Sequence, residues 1–174
     1  LLLLGLSRST DADVTELLAQ AVARQGDERV REMAADLLFD RVDTASKALV
    51  LQVARADSSA RLRASCVLAL GRLADDDARR LIVEKLIDKS PLVRAAAAVA
   101  LTRRNVDGAR ESAIAAIEPR LKHGETNVDV RADLEAARAV LAGERTDVRW
   151  TEVGPRIVFA NMSLRVLVLP DEKI

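Results

Sequence analysis

The chain has 174 residues, with 27 basic residues against 27 acidic ones and a formal net charge of zero. That balance argues against a dedicated nucleic-acid binder, which shows a basic excess. With 49% hydrophobic and 31% charged residues, it excludes a disordered tail. One cysteine, Cys66, excludes an intrachain disulfide and a Cys-based metal site. Aromatics make up 2% of the chain (Phe39, Trp150 and Phe159). The core must therefore be filled with Leu, Val, Ile and Ala, which points to helices packed at close range.

The chain opens on Leu1-Leu2-Leu3-Leu4-Gly5-Leu6, with no initiating Met. This run reads as the tail of a repeat whose beginning lies before residue 1, because Leu4-Gly5 matches Leu70-Gly71 further on. Asp11-Ala12-Asp13 likewise resembles the cap region at Asp75-Asp76-Asp77. The alternative is a remnant of a signal-peptide apolar region, but the basic leader and a small-residue cleavage site are missing. The lack of a complete signal peptide favours the cytoplasm. No segment approaches the roughly 20 apolar residues needed to span a bilayer.

From residue 27 a repeat takes over. Arg31, Arg63, Arg94 and Arg131 are spaced 32, 31 and 37 residues apart. Each follows a branched apolar residue: Val30, Leu62, Val93 and Val130. Four positions before each Arg stands a residue suited to cap a helix N-terminus: Asp27, Ser59, Ser90 and Asn127. Pro91 sits where a first helical residue needs no N–H. Seven positions past the Arg come Leu38, Leu70 and Leu101, with Arg138 as the exception. Alanines crowd the space between, most densely at 95–98. A second helix is expected after each: from Asp43 or Thr44 through Ala54, from Asp76 or Asp77 through Ile87, and from Asp107 towards Lys122. One such hairpin cannot bury both its apolar faces, so the hairpins must stack.

These Val/Leu-Arg pairs, the Ala-rich stretch and the Leu seven on resemble HEAT repeats, particularly the short bacterial type also found in phycobilin lyase subunits. The resemblance covers residues 1–142. It implies an all-α, right-handed α-solenoid of stacked antiparallel hairpins, with the first repeat incomplete. It further implies an acidic residue six before each Arg, forming a ladder between adjacent repeats. Asp57, Asp88 and Glu125 hold that position, while Gln25 departs from it. In HEAT proteins the second helices line the concave face. The resemblance therefore nominates Lys47, Gln52, Arg55, Arg80 and Glu84 as partner contacts.

After Gly143 the composition changes, and residues 143–174 read as a β-prone C-terminal element. Val148-Arg149-Trp150-Thr151-Glu152-Val153 alternates, Gly154-Pro155 signals a turn, and 157–159 and 164–169 are further strand candidates. This element caps the solenoid's open end, or it pairs with another chain or leads into another domain. Trp150 and Phe159 are candidate contacts in either case.

Convergent catalytic groups are lacking. His123, the sole histidine, falls at an expected helix end, where it suits the dipole. Cys66 lies three past Arg63 on an apolar helix, as a small core residue would. HEAT-type di-iron enzymes resemble this fold but need repeated His-Glu pairs, absent here. No catalytic residue, metal or cofactor is therefore expected. The expected function is a protein–protein interaction scaffold within a larger protein or assembly. An accessory subunit of a lyase-type enzyme is one alternative. The other is nucleic-acid binding through Arg79-Arg80, Arg103-Arg104 and Arg110, which Asp75-Asp76-Asp77 and Asp107 would offset.

Overall fold

Helix caps set the frame of the computed structural model, which describes residues 12–24, 26–38, 41–103 and 109–144. The described α-helices are α1 (Ala12–Ala23), α2 (Glu28–Leu38), α3 (Lys47–Ala56), α4 (Ala60–Leu70), α5 (Asp76–Lys85), α6 (Pro91–Thr102), α7 (Ala109–Pro119) and α8 (Val128–Leu141). A π turn, Arg120–Gly124, extends α7. No strand occurs among the described residues. The fold is a helical-repeat solenoid.

The four Arg-bearing helices start where the caps predict. The Ser59 side chain accepts the Leu62 N–H at 3.4 Å, and Asn127 accepts that of Val130 at 3.0 Å. Asp27 accepts the Arg29 N–H at 2.8 Å. Ser90 makes no side-chain cap bond, and the start of α6 relies on Pro91 at its first turn. Helices α3 and α5 begin elsewhere than expected. Asp43 does not cap α3 directly; it exchanges bonds with Ser46, whose N–H and hydroxyl it accepts at 2.8 and 2.7 Å, and α3 begins at Lys47. Asp75, and neither Asp76 nor Asp77, caps α5, taking the N–H groups of Asp77 and Ala78 at 3.0 Å each. Asp107 lies outside the described residues.

Helix α8 stops on a Schellman motif. Gly143 takes φ +75°, the Gly143 N–H bonds the Val140 carbonyl at 3.1 Å, and the Glu144 N–H bonds Ala139 at 2.9 Å. The left-handed conformation is why glycine stands there.

The helices form two layers around one continuous core running from Val14 to Leu141. Helices α2, α4, α6 and α8 make one layer, and α1, α3, α5 and α7 the other. Each Arg-bearing helix packs against the helix before it, α1 with α2 through α7 with α8, more than against the one after it. The expected unit began with the Arg helix; the observed hairpin ends with it. Short turns explain the difference, since Asp57–Ser59 and Glu125–Asn127 leave only antiparallel neighbours within reach.

The Arg-bearing layer is packed most closely, above all α4 on α6 and α6 on α8. Residues 62–71 of α4 and its end, and residues 95–101 of α6, are buried without exception. Small side chains permit this. A Cβ on Gly71 would stand 2.8 Å from the Ala100 carbonyl oxygen and 2.9 Å from its Cα.

Residues 1–11, with the Leu run, and 145–174, with the expected strands, lie outside the described residues.

Candidate interaction surface

The repeat arginines and acids form a continuous ladder along the Arg-bearing layer. Arg63 holds Asp88 with both edges of a fork: Nε donates to Oδ2 at 3.1 Å and Nη2 to Oδ1 at 2.8 Å. Its Nη1 turns back to the carbonyls of Asp57 and Ser58 at 2.7 and 3.2 Å. Arg94 repeats the arrangement one hairpin on. Nε and Nη2 donate to Glu125 at 2.7 and 2.8 Å, and Nη1 to the carbonyls of Asp88 and Lys89 at 2.9 and 3.3 Å. Arg31 pairs with Asp57 and gives its Nε to the Val22 carbonyl at 2.9 Å. The rungs at Arg63 and Arg94 were expected; the first repeat, with Gln25 in the acid position, was expected to depart from the pattern, yet its Arg31 pairs with Asp57.

Each ladder acid also organises its own turn, which spacing alone does not reveal. Asp57, Asp88 and Glu125 accept the N–H two residues on, from Ser59, Ser90 and Asn127, each at 2.9 Å. One carboxylate thus sets the turn before a helix and ties that turn to the preceding arginine. Between Arg94 and Arg131 the spacing lengthens, and the π turn after Pro119 still delivers Glu125. Arg120 folds over Gly124 there, donating to its carbonyl at 2.7 Å and to Glu125 at 3.4 Å. A Cβ on Gly124 would meet that guanidinium at 2.5 Å.

Burial is the largest influence on Asp88 and Glu125 and works to raise their pKa values. For Asp88 it is outweighed by the Arg63 hydrogen bond, the Ser90 N–H and the charges of Arg63 and Lys85. For Glu125 it is outweighed by Arg94, the Asn127 N–H and Arg120. Both carboxyls stay below their ordinary range. Cys66 goes the other way: burial, aided by the Asp57 charge, pushes its thiol up to about 12. Such a thiol is a poor nucleophile at neutral pH. His123 is exposed in the π turn.

The nominated contacts fall on two neighbouring helices of the other layer. Gln52 and Arg55 on α3, and Arg80 and Glu84 on α5, are exposed. Lys47 is half-buried, and its Nζ donates to Asp75 at 2.7 Å, which raises the lysine pKa and lowers that of Asp75. Lys85, which the sequence reading passed over, reaches from α5 to the Arg55 carbonyl at 2.7 Å and to Asp88 at 3.6 Å. Trp150 and Phe159 lie outside the described residues. The basic dipeptide on α5 is neutralised in place, Arg79 by Asp76 at 3.2 Å and Arg80 by Asp77. Among the described residues, no group of His, Cys, Asp and Glu could hold a metal ion, and no helix is long and apolar enough to cross a membrane.

A family model described as HEAT repeats matches residues 47–139, from the first residue of α3 to near the end of α8. No curated protein and no solved structure matches the chain.

Proposed function

The chain belongs to the HEAT-repeat family, and from that premise we propose that it is a non-catalytic interaction scaffold, a segment of a larger protein or assembly, that recognises a protein partner through the α3/α5 side. HEAT repeats generally serve as protein-interaction scaffolds. The observation carrying the choice of side is the contrast between the layers. The central Arg-bearing helices are buried without a break over 62–70 and 95–101, whereas α3 and α5 present Gln52, Arg55, Arg80 and Glu84 to solvent. Mixed charge on that side suits a partner with its own mixed surface, since complementary rim charges select partners and orientation. The ion pairs of Arg79 and Arg80 weigh against a phosphate-binding stripe.

The test is in-cell crosslinking with the wild-type chain and an Arg55→Glu/Arg80→Glu/Glu84→Lys variant of matched melting temperature. The proposal expects a partner protein captured by the wild type and lost by the variant. It fails if the partner is retained. It also fails if the principal ligand is a nucleic acid bound with steep salt dependence, or if the chain turns over a substrate with Cys66 or His123 essential.

A further inference from the structure

Among the described residues, the ladder does not close at Arg131. This arginine occupies the same register as Arg63 and Arg94, six residues past a ladder acid, and it keeps the turn-facing half of their pattern. Its Nη2 donates to the Glu125 carbonyl at 2.9 Å, and its Nη1 to the Leu121 carbonyl at 2.7 Å. The other half is missing: among the described residues no carboxylate reaches it, and its side chain is half-buried, not enclosed. Arg63 and Arg94 each spend Nε and Nη2 on the acid of the next hairpin.

Among the described residues, nothing covers the helix face beside Arg131 in the matching register. Gly71, eight past Arg63, lies against Ala100, six past Arg94. The +8 side of one Arg-bearing helix therefore faces the next helix. On α8 that side carries Ala132, Glu135 and Ala139, of which the alanines are half-exposed and Glu135 is exposed. Positions equivalent to Ala132 and Glu135 are buried on α4 (Ala64, Val67) and on α6 (Ala95, Ala98).

We infer that the α8 end is a docking site for an acidic helix-start turn of a partner protein, Asp or Glu two residues before a Ser or Asn cap, whose carboxylate takes the Arg131 guanidinium. Charge complementarity selects this occupant. An arginine fork binds a carboxylate with two parallel bonds, and the ladder acids here occur in one local form: Asp57-Ser58-Ser59, Asp88-Lys89-Ser90 and Glu125-Thr126-Asn127. The α-helix that follows such a turn supplies the small residues that fit against Ala132 and Ala139. A second copy of this chain is a poor occupant, because its first hairpin carries Gln25 at the ladder position. Docking requires the guanidinium to turn, giving up the Leu121 carbonyl to present Nε and one Nη. The inference concerns a different surface from the α3/α5 side and stands or falls separately.

The probe is a synthetic peptide of residues 85–102, which carries Asp88, Ser90 and the α6 sequence, titrated into the full chain with ¹⁵N-labelled arginine. The Arg131 Nε–H resonance is followed. The inference expects that resonance to shift on binding, at least about tenfold weaker binding for an Asp88→Asn peptide, and no difference between the two peptides for an Arg131→Gln chain. Equal binding of both peptides to the wild-type chain overturns it, as does absence of binding at millimolar peptide. So does an Arg131 resonance in the free chain that moves on Glu152→Gln or Glu172→Gln substitution, since that would put the chain's own carboxylate in the slot.

Discussion

At the scale of the residue, Asp88 shows how much one side chain can hold. Its carboxylate closes a turn through Ser90, receives both edges of the Arg63 fork, and lies 3.6 Å from Lys85. The side chains of Arg63 and Asp88 are only 4% and 7% exposed. Removing the acid strands a buried guanidinium, so Asp88→Ala should cost about 3–5 kcal/mol in equilibrium denaturation. With Arg63→Ala in a double-mutant cycle, the pair should couple by roughly 1–3 kcal/mol. Asp77→Ala, which breaks the exposed Arg80 pair, should leave stability unchanged. The same residues set the acid limb. Folded Asp88 and Glu125 titrate below the ordinary values of 3.8 and 4.5, so the unfolded chain binds more protons in that range. Their contribution is complete above the ordinary values and is lost as pH falls through the depressed ones. The denaturation midpoint should drop below about pH 5, and less steeply in Asp88→Asn than in the wild type. The arginines and acids were legible in the sequence because their spacing repeats. The double duty of each acid was not, since an Asp two residues before a Ser is common and gains meaning only when an arginine from another hairpin arrives.

At the scale of the element, alanine content and helix spacing are one fact. Helix α6 runs Ala95-Ala96-Ala97-Ala98 with every one buried, and α4 meets it at Gly71. Gly71 has φ −60°, so its backbone suits any residue; its lack of a side chain serves the approach to Ala100. Gly71→Ala should therefore destabilise through overpacking, by about 1–3 kcal/mol, whereas at an exposed helix end the same change would be neutral or better. A thermal melt of the variant checks this. The Arg-bearing helices were readable because each carries its own cap and apolar register. The starts of α3 and α5 were placed a few residues off. Several Asp and Ser residues compete in each of those turns, and the winner depends on packing: Asp43 pairs with Ser46, and Asp75 caps α5 while holding Lys47 from the neighbouring hairpin.

At the scale of the molecule, the phase of the repeat was the part that periodicity could not supply. A period is the same wherever it is cut, and only the short turns at Asp57–Ser59 and Glu125–Asn127 reveal that each hairpin ends on its arginine helix. The same blindness applied to the candidate surface. Lys47, Gln52, Arg55, Arg80 and Glu84 were found as polar positions between apolar ones, but no pattern along the chain tells the closely packed layer from the looser one. Packing does. If the close-packed, ladder-bearing layer is the spine of the solenoid, its central helices should open last, because protection follows burial and the number of stabilised neighbours. Residue-resolved native-state hydrogen exchange tests this most directly. The slowest amides should lie in Leu62–Leu70 of α4 and Val93–Leu101 of α6, with α3 and α5 exchanging sooner. Amides of α3 and α5 that outlast those of α4 and α6 would contradict it.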